Sequence, residues 1–179
     1  SLRGLILKRS PSEEAMALLK EVMLEALQRD FSSFINLWKE MGRLFLEPSN
    51  IPFLFNIAEA LKRSDTVAMN EFFSLSRWLY KNTSGMQKRR ATFFLARFYL
   101  FMGDTEMALG LLEGIKPLDD SERRLFAEVF LKKGDYDSSL RYLLEIKELK
   151  GEDLSMVAEI ALSKKDDLST GLFERLLRE

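Results

Sequence analysis

Five stretches of the chain read alike: MLEALQR at 23–29, IAEALKR at 57–63, LARFYLF at 95–101, FAEVFLK at 126–132 and VAEIALS at 157–163. Aligned on Leu24, Ala58, Ala96, Ala127 and Ala158, they are separated by 34, 38, 31 and 31 residues. A period of that size belongs to stacked helical hairpins, in which a pair of helices cannot bury its apolar face alone and leans on the next pair. After each signature comes a polar break holding an aspartate (Asp30, Asp65, Asp104, Asp135, and Asp166 or Asp167), then a second apolar-periodic segment. An aspartate at that place can accept hydrogen bonds from the free N–H groups that open the second helix. Gly103 and Gly134 stand directly before two of these aspartates. Glycine just past a helix end enters the left-handed conformation without steric cost, so both corners are expected to be structural turns made by Gly103–Asp104 and Gly134–Asp135.

Start signals mark the first helices. Ser10, Pro11 and Glu13 offer a serine cap, a proline in the first helical position and a glutamate three residues on; Ser84 with Gln87 and Asp119 with Glu122 repeat the cap-to-third-residue spacing. With linkers near 46–51, 82–85, 116–119 and 148–151, the pairs fall at about 10–46, 51–82, 85–115, 119–147 and 152–178. No alternating apolar pattern of useful length lies between them. The expectation is an all-α chain, a single helical-repeat domain over 1–179 built from ten helices in five antiparallel pairs.

The third and fourth pairs resemble the tetratricopeptide repeat. From Arg89 to Ile115 the residues Leu95, Ala96, Tyr99, Gly103, Ala108 and Leu112 fall at that motif's spacing, as do Phe126, Ala127, Phe130, Gly134, Asp135, Tyr136, Leu140 and Leu143 between Asp120 and Ile146. Departures are present: Ser139 stands for the small alanine of the second helix, both copies are 31 residues long, and the closing proline is missing from each. The resemblance implies a right-handed α-α superhelix and a non-catalytic protein-interaction scaffold, with a peptide or partner protein bound along an inner face lined by the first helix of each pair. Carried over by position, that groove takes Glu59, Phe93, Arg97, Phe101, Arg124, Glu128, Lys132, Ser155 and Glu159. The alternative is a self-associating assembly domain of a larger or membrane-tethered bacterial protein, with the apolar stripe Leu168, Leu172, Phe173, Leu176 and Leu177 capping the array and pairing two copies.

Composition removes whole classes of chemistry. There is no histidine and no cysteine, which excludes histidine-based triads, thiolate nucleophiles, disulfides and Cys/His zinc sites. The 27 basic and 28 acidic residues nearly cancel, so no strong overall field draws the chain to nucleic acid. The apolar run ATFFLARFYLFM at 91–102 is broken by Arg97 and falls short of the roughly 18 to 20 residues a membrane span needs. SLRGLILKRS at the start is too short for a cleavable signal peptide, and a cytoplasmic location is expected. No cofactor, metal or enzymatic function is expected, because neither a glycine-rich phosphate loop nor a ligand cluster is present. The carboxylate pairs Glu13/Glu14 and Asp119/Asp120 sit at helix starts, the cluster QKRR at 87–90 with Arg77 and Lys81 reads as solvated surface, and the aromatic group at 72–80 follows helical core spacing.

Overall fold

In a computed structural model, residues 11–164 are described, and they hold nine α-helices and two short 3-10 turns with no strand among them. The helices are α1 (Glu13–Arg29), α2 (Phe31–Met41), α3 (Ile51–Ser64), α4 (Thr66–Lys81), α5 (Gly85–Phe101), α6 (Thr105–Leu112), α7 (Asp120–Lys133), α8 (Tyr136–Leu144) and α9 (Gly151–Lys164). The chain is therefore all-α. It divides into two compact units, Ser1–Leu95 and Ala96–Glu179, with the division falling within α5. The expected tenth helix, with Asp166, Asp167 and its apolar stripe, lies outside the described residues, as does Ser10.

In the first unit, α1 packs on α2, α2 on α4, and α3 on α4. The pattern Leu54, Ile57, Ala58 and Leu61 buries one stripe of α3, and Met69, Phe72, Ser76 and Leu79 do the same for α4, the spacing that puts side chains on a single helical face. Phe34 and Trp38, one turn apart on α2, meet Phe72 edge-on at ring-centroid distances of 5.4 and 5.2 Å. Edge-to-face contacts of this kind add about 0.5–1.5 kcal/mol each to the area they bury. The chain leaves α2 through a 3-10 turn (Gly42–Leu46) that opens directly against the Trp38 ring.

The helix starts correct two details. The cap of α1 is Ser12, whose hydroxyl accepts from the Ala15 N–H, so Pro11 stands outside the helix. The acidic pair Glu13 and Glu14 then lies in the first turn, where it suits the helix dipole. The alignment on Leu24 also fails: Ala58, Ala96 and Ala127 are fully buried, whereas Leu24 is 42% exposed. The inward stripe of α1 is carried by Met16 and Met23, one residue out of register with the signature.

The aspartate corners repeat in detail. Asp30 accepts from the Ser33 N–H, Asp65 from those of Val67 and Ala68, Asp104 from that of Met107, and Asp135 from that of Ser138. Gly103 and Gly134 take φ of +86° and +81°. Their N–H groups donate to Leu100 and Leu131, and those of Asp104 and Asp135 reach back to Tyr99 and Phe130, at 2.9 Å in both corners. These are matching six-to-one helix closures.

In the second unit α7 and α8 form a hairpin, with α6 against α7 and α9 against both. Ala127, Leu131, Leu140, Leu143, Ile146, Val157 and Ile160 make its core cluster. Tyr142 of α8 stacks on Phe130 at 5.7 Å and lies 4.9 Å from Phe126, so the bulky side chains of α7 fill the space beside the close crossing at Ala127.

Candidate functional site

Of the nine expected groove residues, Glu59 and Phe93 belong to the first unit and the other seven to the second. Glu59 is exposed on α3 and pairs with Arg63 one turn on. Phe93 is half-buried on α5, with the Arg89 guanidinium 5.2 Å from its ring. Both contacts lie within a single helix and define no pocket.

In the second unit Arg97 and Phe101 are half-buried on the last turns of α5, where Phe101 meets Phe98 edge-on at 6.1 Å. Glu128 is half-buried on α7, and Lys132, one turn later, is exposed. Ser155 and Glu159 are exposed on α9, with the Ser155 hydroxyl donating to the Gly151 carbonyl. Leu162, one turn beyond Glu159, is 82% exposed. The inner side of α9 is formed by Asp153, Val157 and Ile160, so Ser155, Glu159 and Leu162 make its open side, acidic with one apolar end.

Arg124 departs from this pattern. Expected on an open channel, it is buried, and its Nε donates to both oxygens of Asp153 at 2.9 Å. Its Nη2 donates to the Glu148 carbonyl, and Glu152 lies 3.6 Å from Nε. The reason is electrostatic: Asp153 is fully buried, and a carboxylate removed from water persists only when paired and hydrogen-bonded. The Lys150 N–H supplies a further hydrogen bond to Asp153 at 2.7 Å. Asp120, at the start of α7, accepts from the N–H groups of Glu148 and Lys147 at 3.1 Å, and those bonds, the Glu148 one foremost, hold its carboxyl below the usual carboxylate range. Arg124 is thus part of the internal packing of this unit; Asp120, expected only as a helix-start carboxylate, also anchors the backbone at 147–148, and Asp153 is a structural residue that the sequence reading did not single out.

The other candidates also find internal partners. Lys88 lies 3.5 Å from the centre of the Tyr80 ring and donates to the Tyr80 carbonyl, while Arg90 pairs with Glu47. Every cation of the 87–90 cluster therefore faces a group of its own unit. Asp119 caps α7 by accepting from the Glu122 N–H, and Glu122 in turn accepts from the Leu118 N–H. In the 72–80 group, Phe72, Leu75 and Leu79 are core residues, whereas Trp78 is 40% exposed. Among the described residues, no helix is long and apolar enough to cross a membrane, and no group of three or more Asp or Glu residues is placed to hold a metal ion.

Compared with known proteins, the chain matches no family model, no curated protein and no solved structure.

Proposed function

We propose that the chain is a non-catalytic protein-interaction module built as a tetratricopeptide-like right-handed superhelix, taking an extended or helical peptide segment along its first helices. The observation that carries this reading is the pair of matching corners at Gly103–Asp104 and Gly134–Asp135, 31 residues apart, each with a left-handed glycine, the same two backbone closures and the same aspartate cap. Fully buried alanines one turn before Tyr99 and Phe130 support it further. On this reading Glu128, Ser155, Glu159 and Leu162 contribute an acidic, partly apolar surface, and the partner segment brings Lys or Arg side chains and one apolar anchor. The expected location is cytoplasmic.

The test is selection of the purified chain against a random displayed-peptide library, followed by titration of the enriched peptides. Basic peptides should be enriched, and Glu128→Lys with Glu159→Lys should weaken them at least about tenfold, equivalent to ~1.4 kcal/mol. Enrichment without basic residues, or affinities untouched by the double reversal, would remove the acidic surface from the account.

A second reading, self-association, is favoured by the side chains of Leu18 and Val22, one turn apart on α1 and both exposed. Sedimentation velocity of wild type and Leu18→Glu separates the two: a dimer lost on substitution supports assembly, and a monomer at all concentrations leaves the peptide-binding reading.

A further inference from the structure

We propose that the turn joining α4 to α5 is a docking tip for an anionic lipid surface, with Trp78 and Met86 entering the headgroup layer and Arg77, Lys81 and Lys88 holding the lipid charge. No Asp or Glu occurs from Phe72 to Gly103, although the whole chain carries 28 acidic against 27 basic residues. Within the first unit that span brings five cations, Arg77, Lys81, Lys88, Arg89 and Arg90. A net charge near zero does not cancel such a patch, because exposed charges farther apart than about 8 Å are screened from one another at physiological ionic strength. Of the five, Arg90 is neutralised by Glu47, whereas the ring and carbonyl that Lys88 meets leave its charge in place.

The apolar part sits at the same end. Trp78 is 40% exposed while Phe72, Leu75 and Leu79 of its helix are buried, and Met86, in the first turn of α5, is 61% exposed. Arg77 and Lys81, one turn apart on α4, are both exposed. Lys88 Nζ donates to the Tyr80 carbonyl at 2.6 Å, which ties the start of α5 to the last turn of α4 and brings Met86 to the end that carries Trp78. Glu71 lies two turns back from Trp78, so the acid-free surface of α4 is confined to its end. The carbonyls that close α4 are satisfied from within: Asn82 donates to Trp78 through both its N–H and its side chain, and Thr83 and Lys88 donate to Tyr80. A backbone end without open acceptors can approach a lipid interface at little cost.

An exposed indole beside cations suits a bilayer surface, where the ring sits at headgroup level and each Lys or Arg strengthens binding to anionic lipid by about fivefold. Single-stranded nucleic acid fits less well, since it stacks successive bases on successive open rings. Here Lys88 lies on the Tyr80 ring, Arg89 lies beside that of Phe93, and Phe72 and Phe94 are buried, so Trp78 is the exposed aromatic residue of 72–95.

Flotation of the full chain with phosphatidylcholine vesicles, with and without phosphatidylserine, tests this. Binding should require the anionic lipid, weaken as salt is raised, and fall at least about tenfold in Arg77→Gln with Lys81→Gln. Brominated lipid in the anionic vesicles should quench Trp78, with the fully buried Trp38 as a constant background, and the quenching should vanish in Trp78→Ala. Should the charge variant fail to fold, Trp78→Ala decides by loss of both quenching and binding. Equal binding to phosphatidylcholine alone, absence of quenching, or binding untouched by the substitutions would overturn the proposal. Capture of a single-stranded oligonucleotide in place of anionic vesicles would overturn it too, and assign the patch to nucleic acid.

Discussion

The hydroxyl of Ser139 donates to the carbonyl of Ala127 at 2.8 Å across the crossing of α7 and α8, with both residues fully buried. The crossing thus holds a small residue that brings a polar atom and satisfies it within the crossing. Ser139→Ala keeps the close approach and forfeits one hydrogen bond, so it should cost about 0.5–1.5 kcal/mol. Ser139→Val adds a branched side chain where there is no room and should cost more, about 1–3 kcal/mol. Urea unfolding of the three proteins checks the order; a valine variant as stable as the alanine one would show that the helices can separate.

Two glycines are required for opposite reasons, and substitution tells them apart. At Gly134 a Cβ would meet nothing within 4 Å, yet φ is +81°. Alanine there should cost about 1 kcal/mol through backbone strain alone, and asparagine less, since it tolerates that region. The thermal midpoints of Gly134→Ala and Gly134→Asn, read side by side, give the answer.

At Gly42 the backbone is ordinary, with φ of −53°, but a Cβ would come within 3.0 Å of the Trp38 ring. Gly42→Ala should therefore cost about 1–3 kcal/mol by overpacking. Trp38 Nε1 is buried without a hydrogen-bond partner, so Trp38→Phe gives up area and no hydrogen bond. The double variant should be less destabilised than the sum of the two singles, a coupling that a double-mutant cycle measures.

Acid should act through the corners. The Ser33 hydroxyl, then the Ser33 N–H, holds the Asp30 carboxyl below its usual range, and the Ser138 side chain, then its N–H, does the same for Asp135. A depressed folded value means that each contributes stability in full above the unfolded carboxylate value of about 3.9, and that this is lost as pH falls through the lower folded value. The thermal midpoint should thus hold from pH 7 to about 5 and decline below about 4. Asp135→Asn should flatten part of that decline. Carboxyl NMR titration should place Asp30, Asp120 and Asp135 below the usual aspartate value of about 3.9.

The hairpin corners were legible because their causes are local: Asp30, Asp65, Asp104 and Asp135 each bond an N–H two or three residues ahead, a distance any window of sequence contains. Register in α1 was not, since the EAL signature repeats there while burial follows Met16 and Met23, which carry no small-residue mark. Arg124 was misread because its partner lies 29 residues away, and Asp153 in the first turn of a helix has a sufficient local reason to be acidic. Charge at such a position says nothing about whether the side chain faces water or a neighbouring helix.

The aspartate corners also bear on the order of folding events. One residue separates α1 from α2, α3 from α4, and two separate α7 from α8, so each helix meets its partner across very little chain. Loop closure over such spans takes on the order of 100 ns or less, and each of these corners is capped by its own aspartate, a contact that needs no other helix. A nascent chain leaving the ribosome can therefore commit each hairpin as it emerges, and synthesis at about 5–20 residues per second gives it more than a second per hairpin.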